Sequence, residues 1–247
     1  MPVRRTTETA ARLLGFHRLR NQQIAQRIVA STGLAPPDFV VEFGAGDGEL
    51  SAALARRCER LVCVEIDREL WQRLRQRFAG NSRVKVILAD FLAFDLPSRG
   101  RYKLVSNVPF GLTARLFRKL SDVAHPPTDA YLIVQTEAAQ RWAGLGHETA
   151  ASVVLKTRYE VQPLVALHRS AFDPRPNADA VLLKLTARAE PLVPRHRLGE
   201  FEVFVRRGFG AGLHRSIRVR SGPRRFEAKD EPRAWTTEDW VRRFDRR

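Results

Sequence analysis

From residue 39 to about residue 135, short apolar runs alternate with stretches whose apolar positions recur at helical spacing. The runs at 39–43, 61–66, 84–88, 103–106 and 131–135 predict strands, and 49–57, 68–78 and 113–120 predict helices. Leu70, Leu74 and Phe78 share one face of the second helix. Strands that alternate with helices in this way build a parallel sheet covered on both faces, so the fold class is α/β. Past Arg158 the pattern changes to two apolar runs, 161–167 and 180–185. Between them, Phe172-Asp173-Pro174-Arg175-Pro176 predicts a long β-type connection rather than a helical crossover, because each proline disfavours helix at the residue before it. Beyond Pro191, Phe201, Phe204, Val205 and Phe209 recur at helical spacing. Trp240, Val241 and Phe244 form a last stripe, with Thr237 as its expected cap and Glu238 and Asp239 in its first turn. The intervening Arg-, Gly- and Pro-rich segment at 210–233 predicts loop. The organisation expected is a domain over 1–189, opened by a basic arm at 1–27, and a small helical, basic domain over 190–247.

Composition sharpens this. A chain of 247 residues with 44% hydrophobic content can bury one large core. The formal charge of +16 favours a polyanionic partner such as nucleic acid. Only six of the 43 basic residues are Lys, so an arginine-biased genome accounts for part of that charge. The charge is nonetheless uneven: residues 1–27 carry six Arg against one Glu, and 190–247 carry 15 basic against 9 acidic residues. Arg is the side chain suited to bidentate phosphate contact and to stacking on bases. No stretch has the apolar length of a transmembrane helix, and the first residues show no secretory apolar core, so no membrane partner and a cytoplasmic location are expected. Cys58 and Cys63 read as two buried thiols, and no His or Cys cluster completes a metal shell.

The candidate chemistry lies at strand ends. Glu42-Phe43-Gly44-Ala45-Gly46-Asp47-Gly48 falls where the first strand turns into the first helix, and glycines there allow a tight turn and close ligand approach. The spacing is not that of the dinucleotide fingerprint, which fails at Glu49. Acidic residues close the next two strands, Glu65 and Asp67 after the second and Asp90 after the third. A carboxylate at the second strand end can accept both ribose hydroxyls, and one at the third an adenine amino group. This suits the nucleoside half of S-adenosylmethionine, which needs no pyrophosphate contact.

Asn107-Val108-Pro109-Phe110 follows the fourth strand, on the edge where open α/β sheets place ligands. An exocyclic adenine amine is a poor nucleophile because its lone pair is delocalised into the ring. The Asn107 side-chain carbonyl and the main-chain carbonyl of Val108 or Pro109 are suited to accept its two N–H groups, and Phe110 to stack on the base. The sulfonium methyl is already activated, so alignment and electrostatics suffice and no dedicated base is needed.

These motifs resemble those of the rRNA adenine-N6 methyltransferases, the group that holds the Erm macrolide-resistance enzymes and the 16S rRNA dimethyladenosine transferases. The resemblance runs from about Gly15 to the C-terminus and also takes in Val64-Glu65-Ile66-Asp67, Asp90-Phe91, Gln135-Thr136-Glu137, Asp179-Ala180 and the Trp240 helix. It implies a Rossmann-like class I S-adenosylmethionine-dependent sheet with a small C-terminal helical domain. It also implies a cofactor held by His17, Leu19, Glu42, Gly44, Gly46, Gly48, Glu65 (ribose), Ile66, Asp90 (adenine), Phe91 and Asn107, with catalysis at Asn107, Pro109 and Phe110. Asn107-Val-Pro-Phe-Gly-Leu-Thr113 is closer to the Erm branch than to the Asn-Leu-Pro-Tyr-Asn of the 16S branch. The partner implied is 23S rRNA, protein-free or in a precursor particle. The product implied is a mono- or dimethylated adenine in the peptidyl-transferase loop, and the consequence resistance to macrolides, lincosamides and streptogramin B. Family members usually carry Gln-Asn-Phe or Gln-His-Phe near the N-terminus; here the stretch reads Gly15-Phe16-His17-Arg18-Leu19, and only Gly15, His17 and Leu19 fit.

Three alternatives stay open at this stage. They are methylation of 16S rRNA, of another 23S position or of DNA; a non-catalytic RNA-binding factor on the same fold; and a nicotinamide-linked oxidoreductase. Nothing in the pattern demands a dimer, so a monomer is expected.

Overall fold

The computed structural model describes residues 16–210 and 235–246. Among them, nearly every expected element is found within a few residues of its place. The strands are β1 (Arg18–Leu19), β2 (Phe39–Phe43), β3 (Arg60–Glu65), β4 (Val84–Leu88), β5 (Lys103–Asn107), β6 (Asp129–Gln135), β7 (Tyr159–Leu167), β8 (Phe172–Asp173) and β9 (Ala180–Ala187). The helices are α1 (Gln22–Ala30), α2 (Glu49–Leu54), α3 (Arg68–Arg77), α4 (Thr113–Asp122), α5 (Thr136–Ala143), α6 (Ala150–Lys156), α7 (Leu198–Gly210) and α8 (Thr237–Asp245).

Seven strands form one sheet in the order β4-β3-β2-β5-β6-β9-β7. The pairs from β4 to β6 are parallel, and β9 runs antiparallel to β6. Side chains of a strand alternate between faces, and in the central strands β2, β5 and β6 both faces are buried, which is why these strands read as continuous apolar runs. Val40, Leu61, Cys63, Val105 and Ile133 join Ala25, Ile28, Val29, Leu50 and Leu54 of α1 and α2 in one core layer. Their neighbours Val41, Phe43, Val64, Leu104 and Leu132 are equally buried. The chain builds β2, β3 and β4 outward in one direction and then returns to place β5 on the other side of β2. The carboxyl ends of β2 and β5 thus border the crevice where strand order reverses, the standard ligand position of such sheets.

The connection from β7 to β9 contains no crossover helix, as the prolines predict; it makes a short helical turn and the two-residue β8, which pairs antiparallel with β1. Helices α1, α5 and α6 were not expected. The cap of α1 is Asn21, whose Oδ1 accepts from the Ile24 amide at 3.0 Å.

The described residues form two compact units whose division differs from the expected 1–189 and 190–247. One comprises the residues up to Thr136 with Gln162–Thr186; the other comprises Glu137–Val161 with Ala187 onward. Helices α5 and α6 fall in the second unit, and the apolar face of α6 belongs to its core. Val153 and Val154 cluster there with Val193, Phe201, Phe204, Val205, Trp235, Trp240 and Phe244. The α8 cap is Thr236, not Thr237: the Thr236 hydroxyl accepts from the Asp239 amide, the Asp239 carboxylate accepts from the Thr236 amide, and Thr237 is a buried first-turn residue. The expected 210–233 loop lies outside the described residues apart from Gly210.

Gly208 of α7 lies directly against Trp240 of α8. A Cβ there would overlap the Trp240 ring. Gly208→Ala is therefore expected to destabilise the second unit by about 1–3 kcal/mol, the usual cost of overpacking, despite the better helix propensity of Ala. Urea unfolding followed by Trp fluorescence checks this; an unchanged or raised midpoint would show that the two helices part without cost.

Candidate active site

The turn after β2 is built by backbone conformations that side chains resist. Gly44 and Gly46 have φ of +66° and +56°, and Gly48, the residue before α2, has +85°. A Cβ at Gly44 would meet nothing within 4 Å, so its bare backbone borders open space. At Gly46 a Cβ would lie 2.9 Å from the Phe16 ring, so the aromatic ring rests directly on the loop. Glu65 holds the loop from below: its Oε2 accepts from the Gly46 amide at 2.8 Å and its Oε1 from the Asp67 amide at 2.9 Å. The side chain is buried, and burial raises its pKa despite these amides. Asp67 turns away to cap α3 through the Glu69 and Leu70 amides.

The other strand-end residues take distinct positions. Ile66, beside Glu65, is 62% exposed, an apolar side chain presented to solvent at the sheet edge. Asp90 accepts from the Leu92 amide at 2.8 Å, which fixes its carboxylate at the end of β4. Phe91 is buried, its ring stacked on Phe43 at 5.3 Å, so its side chain belongs to the core beneath the site. Glu42 is 1% exposed and accepts from the Cys63 thiol at 3.3 Å. Burial pushes its carboxyl up to about 7, and raises the Cys58 and Cys63 thiols as well; both cysteines are free. Among the described residues no cluster of His, Cys, Asp or Glu could hold a metal ion.

Asn107 is the last residue of β5. Its Nδ2 donates to the His17 carbonyl at 2.6 Å, so its Oδ1 is the atom left to accept from a ligand. His17 is fixed in turn: Nδ1 donates to the Pro174 carbonyl at 2.7 Å, and its ring packs 5.1 Å from that of Phe110. The Pro109 carbonyl already accepts from the Leu112 amide at 2.8 Å. That leaves the Val108 carbonyl as the better second acceptor of the two expected.

A recess of about 230 Å³ opens between the glycine turn, Asn107 and the β1–β8 pair. Of the expected residues it is lined by Leu19, Glu42, Gly44, Gly46 and Asn107, while His17, Gly48, Glu65, Ile66, Asp90 and Phe91 stand outside it. A complete drug-sized ligand needs some 300 Å³ or more, so the recess suits one part of a cofactor and the strand ends beside it the rest. Phe16, Arg18, Arg20, Asp47 and Asp173 also line it and were not expected. A two-residue strand is too short to announce itself by alternation, and its pairing with β8 joins segments about 150 residues apart, which no local pattern reveals.

The basic surface is partly self-neutralised. Arg197 pairs with Asp245, Arg206 with Glu202 and Arg242 with Asp239. The arginines at 215–225 lie outside the described residues.

Comparison with known proteins matches this geometry to one family. The family model for ribosomal RNA adenine dimethylase covers residues 8–216. An rRNA adenine N-6-methyltransferase of Streptomyces fradiae is 34% identical over 222 residues, 87% of this chain and 69% of its own length. Ribosomal RNA small subunit methyltransferase A of Synechococcus sp. is 32% identical over 219 residues, 84% of this chain and 78% of its own. The crystal structure of the 23S rRNA methyltransferase ErmE superposes with a TM-score of 0.78 at 27% identity, covering 92% of this chain and 98% of that one.

Glu42 generates a pH prediction. Its pKa rises from 4.5 to about 7 in the fold, so between those values the folded protein keeps a proton that the unfolded chain has released. Its contribution to stability is thus present at low pH and lost as pH rises through about 7. Glu42→Gln is expected to reduce the stability lost between about pH 5 and about pH 8 by on the order of 3 kcal/mol. Urea midpoints of the cofactor-free protein at the two pH values measure it, and parallel losses in both proteins would show Glu42 ionised throughout.

Proposed function

Because this chain belongs to the ribosomal RNA adenine dimethylase family and is an S-adenosylmethionine-dependent rRNA adenine-N6 methyltransferase, we propose that its target is an adenine in the peptidyl-transferase loop of 23S rRNA. Methylation there confers resistance to macrolide, lincosamide and streptogramin B antibiotics. The observation that carries this reading is the match to ErmE, a 23S enzyme, along nearly the whole of both chains. The enzyme acts as a monomer in the cytoplasm, on protein-free 23S rRNA or a precursor particle. None of the described helices is long and apolar enough to cross a membrane.

The site residues fit the cofactor. The open backbone at Gly44 leaves room for it, Glu65 and Asp90 offer carboxylates to its ribose and adenine, and exposed Ile66 offers an apolar face to the purine. Bound there, S-adenosylmethionine supplies a methyl group on a sulfonium. Asn107 Oδ1 and the Val108 carbonyl accept the two N–H groups of the target amine, which draws its lone pair out of the ring and towards the methyl. Phe110 stacks on the base and fixes its plane, with His17 packed against the Phe110 ring. The Asn107–His17 bond decides which end of the amide faces the amine, so no energy goes into rotating it during the reaction.

A second reading rests on the small-subunit enzyme of Synechococcus, nearly as similar over nearly as much of the chain. On that reading the target is in 16S rRNA.

Transfer of labelled methyl to protein-free 23S and 16S rRNA, with the position mapped by primer extension, separates the two. Label in 23S at the peptidyl-transferase loop is expected; label confined to 16S overturns the 23S reading and supports the second. Asn107→Ala is expected to lower kcat on 23S rRNA by about 10²–10³-fold with folding intact, the size of effect seen when a preorganised polar group at a reacting centre is removed. Retained turnover would remove Asn107 from the orienting role.

A further inference from the structure

The sulfur of S-adenosylmethionine carries three arms: the methyl, the adenosyl group and a 3-amino-3-carboxypropyl chain. The assignment above directs the adenosyl group to the ends of β3 and β4, and the methyl to Asn107 at the end of β5. In the sheet order β4-β3-β2-β5, the space left beside the end of β2 is the recess between the glycine turn and β1.

Its charges are distinctive. Glu42, Asp47, Glu49 and Asp173 contribute carboxyl groups, whereas among the described residues its cations are Arg18 and Arg20. The acidic groups suit the ammonium and sulfonium of the cofactor. The same groups would repel its carboxylate unless a cation meets it. Arg18 is the side chain held in place for this. It sits on β1, paired with Asp173 across the β1–β8 ladder and anchored by the buried Leu19 next to it. Its Nη1 bonds Asp47 Oδ2 at 2.7 Å, and Asp47 Oδ1 lies 3.7 Å from Arg73. One bond to Asp47 uses one of five guanidinium N–H donors and leaves a fork that matches a carboxylate.

We propose that Arg18 selects the cofactor by receiving the carboxylate of its amino-acid arm, in the recess between the Gly44–Gly48 turn and β1. This rests on the assignment of Glu65 and Asp90 to the adenosyl group. Phosphate of the RNA substrate is the competing partner. The lining places Arg18 with Gly44 and Asn107 inside the recess, and Asp47 cancels much of the charge by which an arginine would draw RNA from a distance while leaving its short-range fork intact.

The test is calorimetric titration of the full chain with S-adenosylhomocysteine and with 5′-methylthioadenosine, which keeps the adenosyl group but lacks the amino-acid arm. Arg18→Met is expected to weaken S-adenosylhomocysteine by about 10- to 100-fold, the usual range for a lost charged hydrogen bond, and to leave 5′-methylthioadenosine within about twofold. Arg18→Gln, which can still donate to Asp47, is expected to do the same and serves if the Met variant fails to fold. An unchanged ratio of the two affinities in the folded variants overturns the proposal. If that ratio holds while binding of a 23S transcript without cofactor weakens, Arg18 is an RNA contact and the proposal is equally overturned. Glu65→Gln tests the underlying assignment separately: it is expected to weaken both ligands alike, and if it spares both, the adenosyl placement fails and the proposal with it.

Discussion

The site depends on one buried hydrogen bond at the switch point of the sheet. Ser106, fully buried in β5, donates from its hydroxyl to the carbonyl of Phe43, the last residue of β2, at 2.9 Å. Phe43 and Ser106 are already register partners, so the side-chain bond adds a second tie at the point where the two strands diverge into their loops. Gly44 follows one partner and Asn107 the other. A bond between neutral groups is worth only about 1 kcal/mol net, but a buried hydroxyl left unpaired costs as much or more, so Ser106 holds the two loops to a single spacing. Cofactor turn and base-handling residue are therefore positioned by the same few atoms. A shift of about 1 Å between reacting groups can cost roughly 10²-fold in rate, which is the scale on which this tie matters.

Outward from that point the site is held together by backbone groups rather than by side chains meeting side chains. Glu65 receives two amides, Asp90 one, and Asn107 donates one amide proton to the His17 carbonyl. Asp90 commits Oδ1 and Asn107 its Nδ2 to the frame, whereas both oxygens of Glu65 already accept amides and keep only their remaining lone pairs for a ligand. This explains why the carboxylate of Glu65 can be buried without a cation: the Gly46 and Asp67 amides offset part of the cost of burial, and a ribose with two hydroxyl donors would offset more. Binding the nucleoside adds donors to an acceptor already in position, so the protein has little to reorganise.

How much of this the sequence makes legible follows the length scale of each feature. The five parallel strands and the helices between them are plain because burial on both faces writes unbroken apolar runs, and the strand-end acids and Asn107-Val-Pro-Phe are plain because each lies within a few residues of its strand. What escapes is what depends on pairing across the chain. The β1–β8 pair is two residues long on each side, and it brings Arg18, Leu19 and Asp173 together at the recess. The grouping of α6 with the tail escapes for the same reason: its apolar face is ordinary, and only the aromatic cluster around Trp240 shows which partner it meets. At α8 the error is one residue, because Thr236 and Thr237 are chemically equivalent as caps and only the backbone decides which of them stands outside the helix.

Net charge is the feature that sequence overstates most. A formal +16 suggests a surface given over to phosphate, yet in the described residues many arginines are engaged with acids on their own or neighbouring elements. Arg73 and Arg77 reach Asp47 and Glu49, and Arg188 reaches Glu160 and Glu238. Exposed pairs of this kind add little stability, about 0–1 kcal/mol each, so they are poor reasons for the arginines to be there. Their larger effect is on the field: each paired arginine attracts RNA less at a distance while keeping spare donors for a contact at close range. Affinity for RNA then comes from a minority of the cations, and the salt dependence of binding should reflect that minority and not the formal charge. The arginines that are free to act this way must be sought among side chains without an acidic neighbour, which is a property of the fold and cannot be read from composition.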